Sequence, residues 1–547
     1  MIKMDDTAQN RPGLLAEVVF SALLLCSLLV RAVNIASPIL EEHAFRQTQT
    51  AITIWTFVEE GISFFSYQTP VFGPPWQAPF EFPLFQAAAA LIVKAGIPNI
   101  DIAARLTNIF FFYLSAFFLF MLCGRFFRER GITFTIVLCY VLSPYTIFWS
   151  RASMIDYASL AFALGYFYFF LQVLEEDGGL FTLAGALISG TLGYLIKITT
   201  MPTVVFPLSY FIVKQLWNNY NKTGGGLLCY VLREKIVLIK LLIAIVLPFA
   251  AGYLWTIHAD NVKRASLFTE WLTSEHLEGW NYGTWQQRGQ WSSWMAIFGY
   301  LKPFIPFTFF LVPAGLVFVI KHPGRYMEFI YSSLFGTLMT VLIFFNLYLV
   351  HNYYSMAATP FLAITAGFAI YHILFVLLKD KKGTKALHLK GCIAAASLGL
   401  LVYFYIGTAR EYLTYPLIIN NYSASTIGDF LKVITPPDEY IIITDHMWNP
   451  SILYYCRRKG FMIDKDHDYG RRQLTFFKEH KFTTIVTIHD YPELLSNWRY
   501  VLKIKPQGYR IADYNIYKVT DDPQAYERYK KFNDIKVSNE NNTKVQP

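Results

Sequence analysis

Charge is what this sequence has least of. Only 16% of its 547 residues are Asp, Glu, Lys or Arg, where a soluble domain carries about a quarter. Cysteine is also sparse. The six residues Cys26, Cys123, Cys139, Cys229, Cys392 and Cys456 include no C-x-x-C or other metal or redox spacing, so no disulfide framework is expected. The polar tail after about Glu411 contains no Gly-rich phosphate loop, which argues against nucleotide chemistry there.

What fills the chain instead is apolar and aromatic. Hydrophobic residues make up 54% of it, with 48 Phe, 36 Tyr and 12 Trp. That composition belongs to a polytopic membrane protein. The net charge of +9 does not point to nucleic acid, because the basic residues fall in short clusters between hydrophobic segments, as in cytoplasmic loops.

The run from about Leu14 to Ile35 is long enough to cross a hydrocarbon core of about 30 Å. It is too long for a signal peptide and lacks an obvious cleavage site. Ten more segments follow at about 104–123, 132–150, 157–174, 180–198, 201–217, 236–256, 297–320, 327–347, 356–378 and 391–408. With a cytoplasmic N-terminus, eleven spans place Arg125, Arg128, Arg130, Lys214, Lys222, Arg233, Lys235, Lys321, Arg325 and the lysines from Lys379 to Lys390 inside. The fold expected is a mainly α membrane bundle over residues 1–409 with outer loops at 36–103 and 257–296. Residues 410–547 are expected to form a small exoplasmic α/β domain without catalysis, because short β-type runs at 440–444, 483–488 and 509–519 alternate there with helical patterns at 451–459, 471–480 and 492–501.

Against this apolar background, Glu41-Glu42-His43-Ala44-Phe45-Arg46-Gln47 stands out directly after the first span. Residues 42–60 suit an amphipathic helix lying at the interface. Glu41 and Glu42 suit either catalysis or the helix dipole. Glu81 lies at the mouth of a second apolar helix, beyond a proline-rich path. Asp156 follows Arg151 at the start of a span, where it is either a helix cap or a functional carboxylate beside the bilayer. Lys197 stands at the outer end of another span, suited to snorkelling or to a phosphate, with Arg46, Arg151, Arg264 and Arg288 as further cations. The segment His351-Asn352-Tyr353-Tyr354 reads as aromatic belt or as lipid-phosphate or sugar recognition. The tryptophans between His258 and Met295 suit an aromatic belt at the headgroups or a mouth for sugar rings or prenyl chains.

As an ordered set, these residues resemble the GT-C superfamily of integral membrane glycosyltransferases. They are most similar to the bacterial branch related to protein mannosyltransferases and lipid A aminoarabinose transferases of glycosyltransferase family 39. The likeness runs through His43-Ala44-Phe45-Arg46-Gln47, Thr50-Ala51, Glu81-Phe82-Pro83-Leu84, Ser143-Pro144, Ser150-Arg151, Asp156, Lys197 and the His351–Tyr354 segment, over roughly residues 14–380. It implies transfer of a sugar from a polyprenyl-phosphate donor to a lipid, protein or glycan acceptor, with inversion, at the outer face of a bacterial cytoplasmic membrane. It further implies that a first-loop carboxylate is the general base, and that Lys197 and the arginines hold the donor phosphate. Glu41-Glu42 stands where the family commonly has Asp-Glu, so the base is open among Glu42, Glu41 and Glu81. Asp156 would orient the acceptor or a divalent metal, which is left open as a cofactor. His43, Gln47, His351, Tyr353 and Tyr354 complete the expected substrate-binding set. A transporter or flippase would place ionisable groups near the bilayer midplane, and a non-catalytic assembly protein would not need the set at all.

Overall fold

The computed structural model describes residues 13–376 and 423–534, apart from 175–178, 224–225, 267, 305–307, 322, 446, 464–470, 481 and 505–513, together with residues 399, 406 and 410. The eleventh expected span at 391–408, its flanking lysines and the boundary at 409 lie essentially outside the described residues.

The membrane module is built from α1 (Leu14–Ala32), α2 (Ala44–Glu60), α3 (Leu84–Lys94), α4 (Ile100–Phe126), α5 (Arg130–Leu142), α6 (Pro144–Trp149), α7 (Asp156–Leu174), α8 (Leu180–Ile196), α9 (Pro202–Thr223) and α10 (Gly226–Arg264). It continues with α11 (Glu278–Tyr282), α12 (Trp285–Gly289), α13 (Trp291–Leu301), α14 (Thr308–Lys321), α15 (Tyr326–Ile343), α16 (Phe345–Val350) and α17 (Thr359–Tyr371). Among the described residues six helical stretches are long and apolar enough to cross a membrane, at Leu14–Ala32, Ile100–Phe126, Asp156–Leu174, Glu234–Arg264, Tyr326–Ile343 and Asn352–Leu374. Four shorter apolar helices join them. The chain is therefore a multi-pass membrane protein. Helices α4 and α7 are mostly buried, whereas α1 and α10 leave most of their apolar surface outward, as lipid-facing helices do.

Close packing depends on small residues. A Cβ at Gly336 of α15 would lie 2.7 Å from the Thr203 carbonyl of α9, and one at Gly367 of α17 would lie 2.7 Å from Cα of Ile136 in α5.

Three expected spans are broken, two of them at proline. The stretch 132–150 stops at Leu142 because Pro144 disfavours the helical conformation at Ser143, whose ψ is 131°. The stretch 297–320 divides into α13 and α14 around Pro303. Residues 327–347 end as a continuous helix at Ile343, with Phe344 (ψ 44°) separating α16. The span expected from 356 opens instead as a 3-10 turn, Asn352–Ala358, before α17.

The first outer loop also differs from expectation. Helix α2 does not lie at the interface: residues 47–54 are all buried, polar and apolar alike. It packs against α3 and α4, and the C-terminal domain covers it from the other side, with Ser451 Oγ 3.2 Å from Thr48 Oγ1.

That domain holds a five-stranded sheet in the order β2-β1-β3-β5-β4, with β1 Tyr440–Thr444, β2 Gly460–Ile463, β3 Phe482–Thr487, β4 Tyr500–Ile504 and β5 Asn515–Thr520. The first three are parallel and β5 runs antiparallel between β3 and β4. The helix expected at 492–501 is only Pro492–Leu495, and its remainder enters β4. Strand β2, which was not expected, directly follows the helical pattern at 451–459, whose helix ends when Arg457 turns left-handed, at φ 54°.

The proline-rich path of the first loop docks on the edge of β2. Gly460 N–H donates to Pro70 O (3.1 Å), Met462 N–H to Val71 O (3.0 Å) and Gly73 N–H to Gly460 O (3.1 Å). Tyr454 and Tyr455 hydroxyls donate to Asp101 at the outer end of α4. These bonds satisfy an edge that would otherwise stand open and lock the domain over one end of the helices, beside Asp101 at the start of α4.

Candidate active site

A cavity of about 740 Å³ opens beneath this lock, lined from α2, the end of α3's approach, the α8 terminus, α10, the tryptophan-rich loop, the His351–Tyr354 turn and the C-terminal domain. Its floor is cationic. Lys197 follows α8 in extended backbone (φ −159°, ψ 96°), which turns it back onto the first turn of α7. There its ammonium pairs with Asp156 Oδ1. The same Nζ sits 3.9 Å from the ring centre of Tyr354 and 5.3 Å from that of Tyr353, an attraction that strengthens as water is excluded. Among the described residues Asp156 Oδ2 is buried with no hydrogen-bond partner.

Arg46, in the first turn of α2, donates to Gln49 Oε1 (2.7 Å) and to Glu81 Oε2 (3.2 Å). Gln86 donates to the other oxygen of Glu81 at 2.8 Å. Both oxygens of Glu81 are thus engaged, and the residue itself lines the cavity beside Arg46.

Glu42 is held differently. Asn352 donates its amide N–H to Glu42 Oε1, 2.6 Å, and its Oδ1 lies 2.9 Å from His43 Nε2. With the amide oriented so, Asn352 Oδ1 accepts and His43 carries its proton on Nε2. Burial pushes the Glu42 carboxyl above its ordinary value, with Asn352 opposing. His43 itself caps α2 in the left-handed region, φ 54°, strain of the kind that accumulates at functional sites. Its ring meets Tyr353 edge-on at 4.9 Å and His351 at 5.4 Å.

The remaining expected residues lie elsewhere. Glu41 accepts from Arg105 at 2.9 Å, where Arg105 also holds the carbonyls of Ile35 (3.0 Å) and Ser37, so this carboxylate fastens the loop after α1. Gln47 bridges Glu42 O and Ser153 N–H, each at 3.0 Å. Arg151 is buried outside the cavity, in the field of Glu41 but also of Arg105 and Arg31, and among the described residues its Nε and Nη2 have no hydrogen-bond partner. Arg264 pairs with Glu275 at the surface. Arg288 caps the carbonyls of Leu342 (3.0 Å), Thr284 (2.9 Å) and Tyr282 (2.7 Å). Neither Arg264 nor Arg288 lines the cavity. Among the described residues no three His, Cys, Asp or Glu side chains converge to hold a metal ion, so no step is derived through one.

Residues that sequence reasoning missed are Asn352 as the link between Glu42 and His43, Phe80, and Met447-Trp448-Asn449 from the C-terminal domain. Trp448 had a signal, a tryptophan in a turn-rich Asp-His-Met-Trp-Asn-Pro, but no period that tied it to this cavity.

His351 lines the cavity. Burial, His43, Lys197 and Arg46 push its pKa down from 6.5 to about 4. Between those values the unfolded chain binds the proton and the folded chain does not, so folding stability should fall as pH drops from about 6.5 to about 4. Thermal unfolding of His351→Gln should show a shallower loss over that window than the wild type. An unchanged slope would remove His351 from the pH response.

No protein-family model and no characterised protein sequence matches the chain. Solved structures do match. ArnT from Cupriavidus metallidurans bound to undecaprenyl phosphate superposes with a TM-score of 0.62 at 12% identity, over 92% of this chain and 98% of that one. The same protein in the apo state gives 0.57 at 12% identity. The archaeal oligosaccharyltransferase AglB from Archaeoglobus fulgidus, in complex with an inhibitory peptide and a dolichol-phosphate, gives 0.51 at 10% identity, over 94% and 75%. In architecture, from the first helix to the C-terminal sheet, the chain has the GT-C fold of the integral membrane glycosyltransferases.

Proposed function

We propose that the chain transfers a sugar from a polyprenyl-phosphate donor to an acceptor at the outer face of the cytoplasmic membrane, with inversion. The observation that carries this reading is a pair of cations, Lys197 and Arg46, lining one cavity, with the Glu42 carboxylate at its edge rather than in its lining, joined through Asn352 to His43, whose ring meets the cavity residues Tyr353 and His351.

In this reading Lys197 and Arg46 receive the donor phosphate. As the bond from the sugar's anomeric carbon to the phosphate oxygen breaks, negative charge grows on polyprenyl phosphate, and fixed cations in a water-poor cavity favour that state over the ground state. Glu42 accepts the proton of the acceptor hydroxyl as the new glycosidic bond forms on the opposite face of the sugar. One displacement needs one base, and the raised pKa of Glu42 makes it more basic than an ordinary carboxylate. Glu81 positions Arg46, and Asp156 positions Lys197. Tyr194, Leu195, Ile198 and Trp255, on the α8–α10 side, form the apolar wall for the prenyl chain. ArnT, bound to undecaprenyl phosphate on the same fold, supports a donor of this class. The charged groups gather at one end of the helices, which favours a transferase over a transporter.

The test is transfer by the purified chain in lipid nanodiscs from labelled undecaprenyl-phosphate pentoses, hexoses and aminosugars to membrane extract. A product of inverted anomeric configuration is expected from at least one donor. Absence of transfer from every donor overturns the reading.

A further inference from the structure

One part of the cavity is not used by the chemistry above. Its outer wall is aromatic and begins one residue from the reacting groups: Phe45 precedes Arg46, and Phe80 precedes Glu81. Both contact Trp448 of the C-terminal domain. Phe45 meets its ring edge-on at 4.4 Å, and Phe80 stacks on it at 5.6 Å with 16° between planes. Trp271 lies at 6.2 Å.

Trp448 is held there by its own domain. Asp445 and Met447 adopt left-handed backbone, φ 66° and 50°, at a cost that the surroundings must meet. Asp445 meets it by accepting the backbone N–H groups of Ile488 and His489, each at 3.0 Å, the Thr487 hydroxyl at 3.2 Å and the Tyr491 hydroxyl. The loop is shaped before any ligand arrives.

The four tryptophans of the cavity divide into two kinds. Trp255 donates its indole N–H to Phe80 O at 3.4 Å, and Trp271 to Phe268 O at 3.1 Å. Among the described residues the indole N–H groups of Trp448 and Trp280 donate to nothing, although both rings line the cavity. His351 Nδ1, on a ring stacked with Tyr353 and Tyr354, is buried without a partner as well. A prenyl chain has no hydrogen-bonding group to offer the indole N–H groups or the imidazole nitrogen, and its wall on the α8–α10 side carries a tryptophan whose N–H is already satisfied. A ligand with flat C–H faces and hydroxyl groups matches both properties of the outer wall, ring faces and free donors.

We infer that the outer wall is an acceptor subsite for a carbohydrate, completed by the C-terminal domain, with Trp448 as its specificity-determining residue. This rests on the glycosyltransferase reading above and adds to it the class of acceptor, a glycan or glycolipid rather than a protein.

The experiment uses the full chain in nanodiscs and a bacterial envelope extract separated into glycolipid, polysaccharide and protein fractions. Two readouts are taken: transfer from labelled undecaprenyl-phosphate sugars, and equilibrium retention of each fraction by the chain without donor. Label should enter the glycolipid or polysaccharide fraction. Trp448→Ala should raise the KM for that fraction about tenfold, the size of one lost contact of about 1.4 kcal/mol, with undecaprenyl phosphate binding unchanged. Trp448→Phe, which keeps a ring and loses the N–H, should fall between. Retention should weaken in the same order. Label in protein, or loss of undecaprenyl phosphate binding in Trp448→Ala, overturns the subsite, as does a fall in kcat and Tm without a change in KM. If the wild type transfers nothing yet retains glycan through Trp448, the subsite stands and the transferase reading fails. If it retains no glycan fraction, the subsite fails whatever the transfer result.

Discussion

Lys197→Met should abolish measurable binding of undecaprenyl phosphate and lower transfer by about a thousandfold, the upper range for removing one electrostatic stabiliser of a developing charge. The lysine is half-buried, paired with Asp156 and backed by the faces of Tyr353 and Tyr354. Its loss therefore has a second consequence. Asp156, already holding one unpartnered oxygen, becomes an uncompensated buried charge, and breaking such a pair costs about 3–5 kcal/mol. The two effects separate in a cycle. Lys197→Met with Asp156→Asn should recover most of the lost thermal stability, because the stranded charge is gone, and none of the transfer. If the double variant regains transfer, Lys197 is only Asp156's partner and the phosphate must be held elsewhere. Lys197→Arg should not rescue fully either, since a planar fork cannot replace a compact ammonium against two ring faces.

Glu42→Gln should lower kcat by about 10²–10⁴, the range for a lost general base, with the fold and donor binding preserved. Glutamine can still accept from Asn352, so the Asn352 bridge to His43 survives the change. The acid limb of the pH–rate profile should lie above that of an ordinary carboxylate, because burial raises the Glu42 pKa and the base works only once deprotonated. Raising the pH through that pKa restores the rate. Glu81→Gln should behave otherwise: it frees Arg46 from its partner at 3.2 Å and should raise the KM for donor more than it lowers kcat. Should Glu42→Gln retain full kcat while Glu81→Gln loses it, the base is Glu81 and Glu42 is structural. Glu41→Gln is set apart from both by position, since its partner Arg105 fastens the loop after α1 and any effect should appear in stability.

Much of this was legible in one dimension because a bilayer imposes it. A helix that crosses lipid must be long, apolar and free of unpaired charge, so α1, α4, α7 and α10 announce themselves in sequence, and so does the polar cluster from Glu41 to Gln47 beside them. Where proline interrupts the apolar pattern, the length rule overran: Pro144 and Pro303 divide helices that hydropathy joins. The C-terminal sheet was legible as a class, but β2 and β4 were not, since each is four or five residues and borders a helical pattern.

The sequence by itself determined that the chain spans a membrane many times and carries its ionisable groups near the ends of those spans, because solvation by lipid acts on each segment locally. Which of those groups meet was decided only in three dimensions. Arg151, Arg264, Arg288 and Glu41 look as suitable as Lys197, Arg46 and Glu42 when written in a line. Helix packing turned the first four away from the cavity, three of them onto structural partners, and the last three toward the cavity or its edge. The same holds for Trp448, some four hundred residues from Phe45. Contact between them depends on the edge of β2 accepting the Pro70–Gly73 path, a long-range hydrogen-bonded fit that no local period encodes.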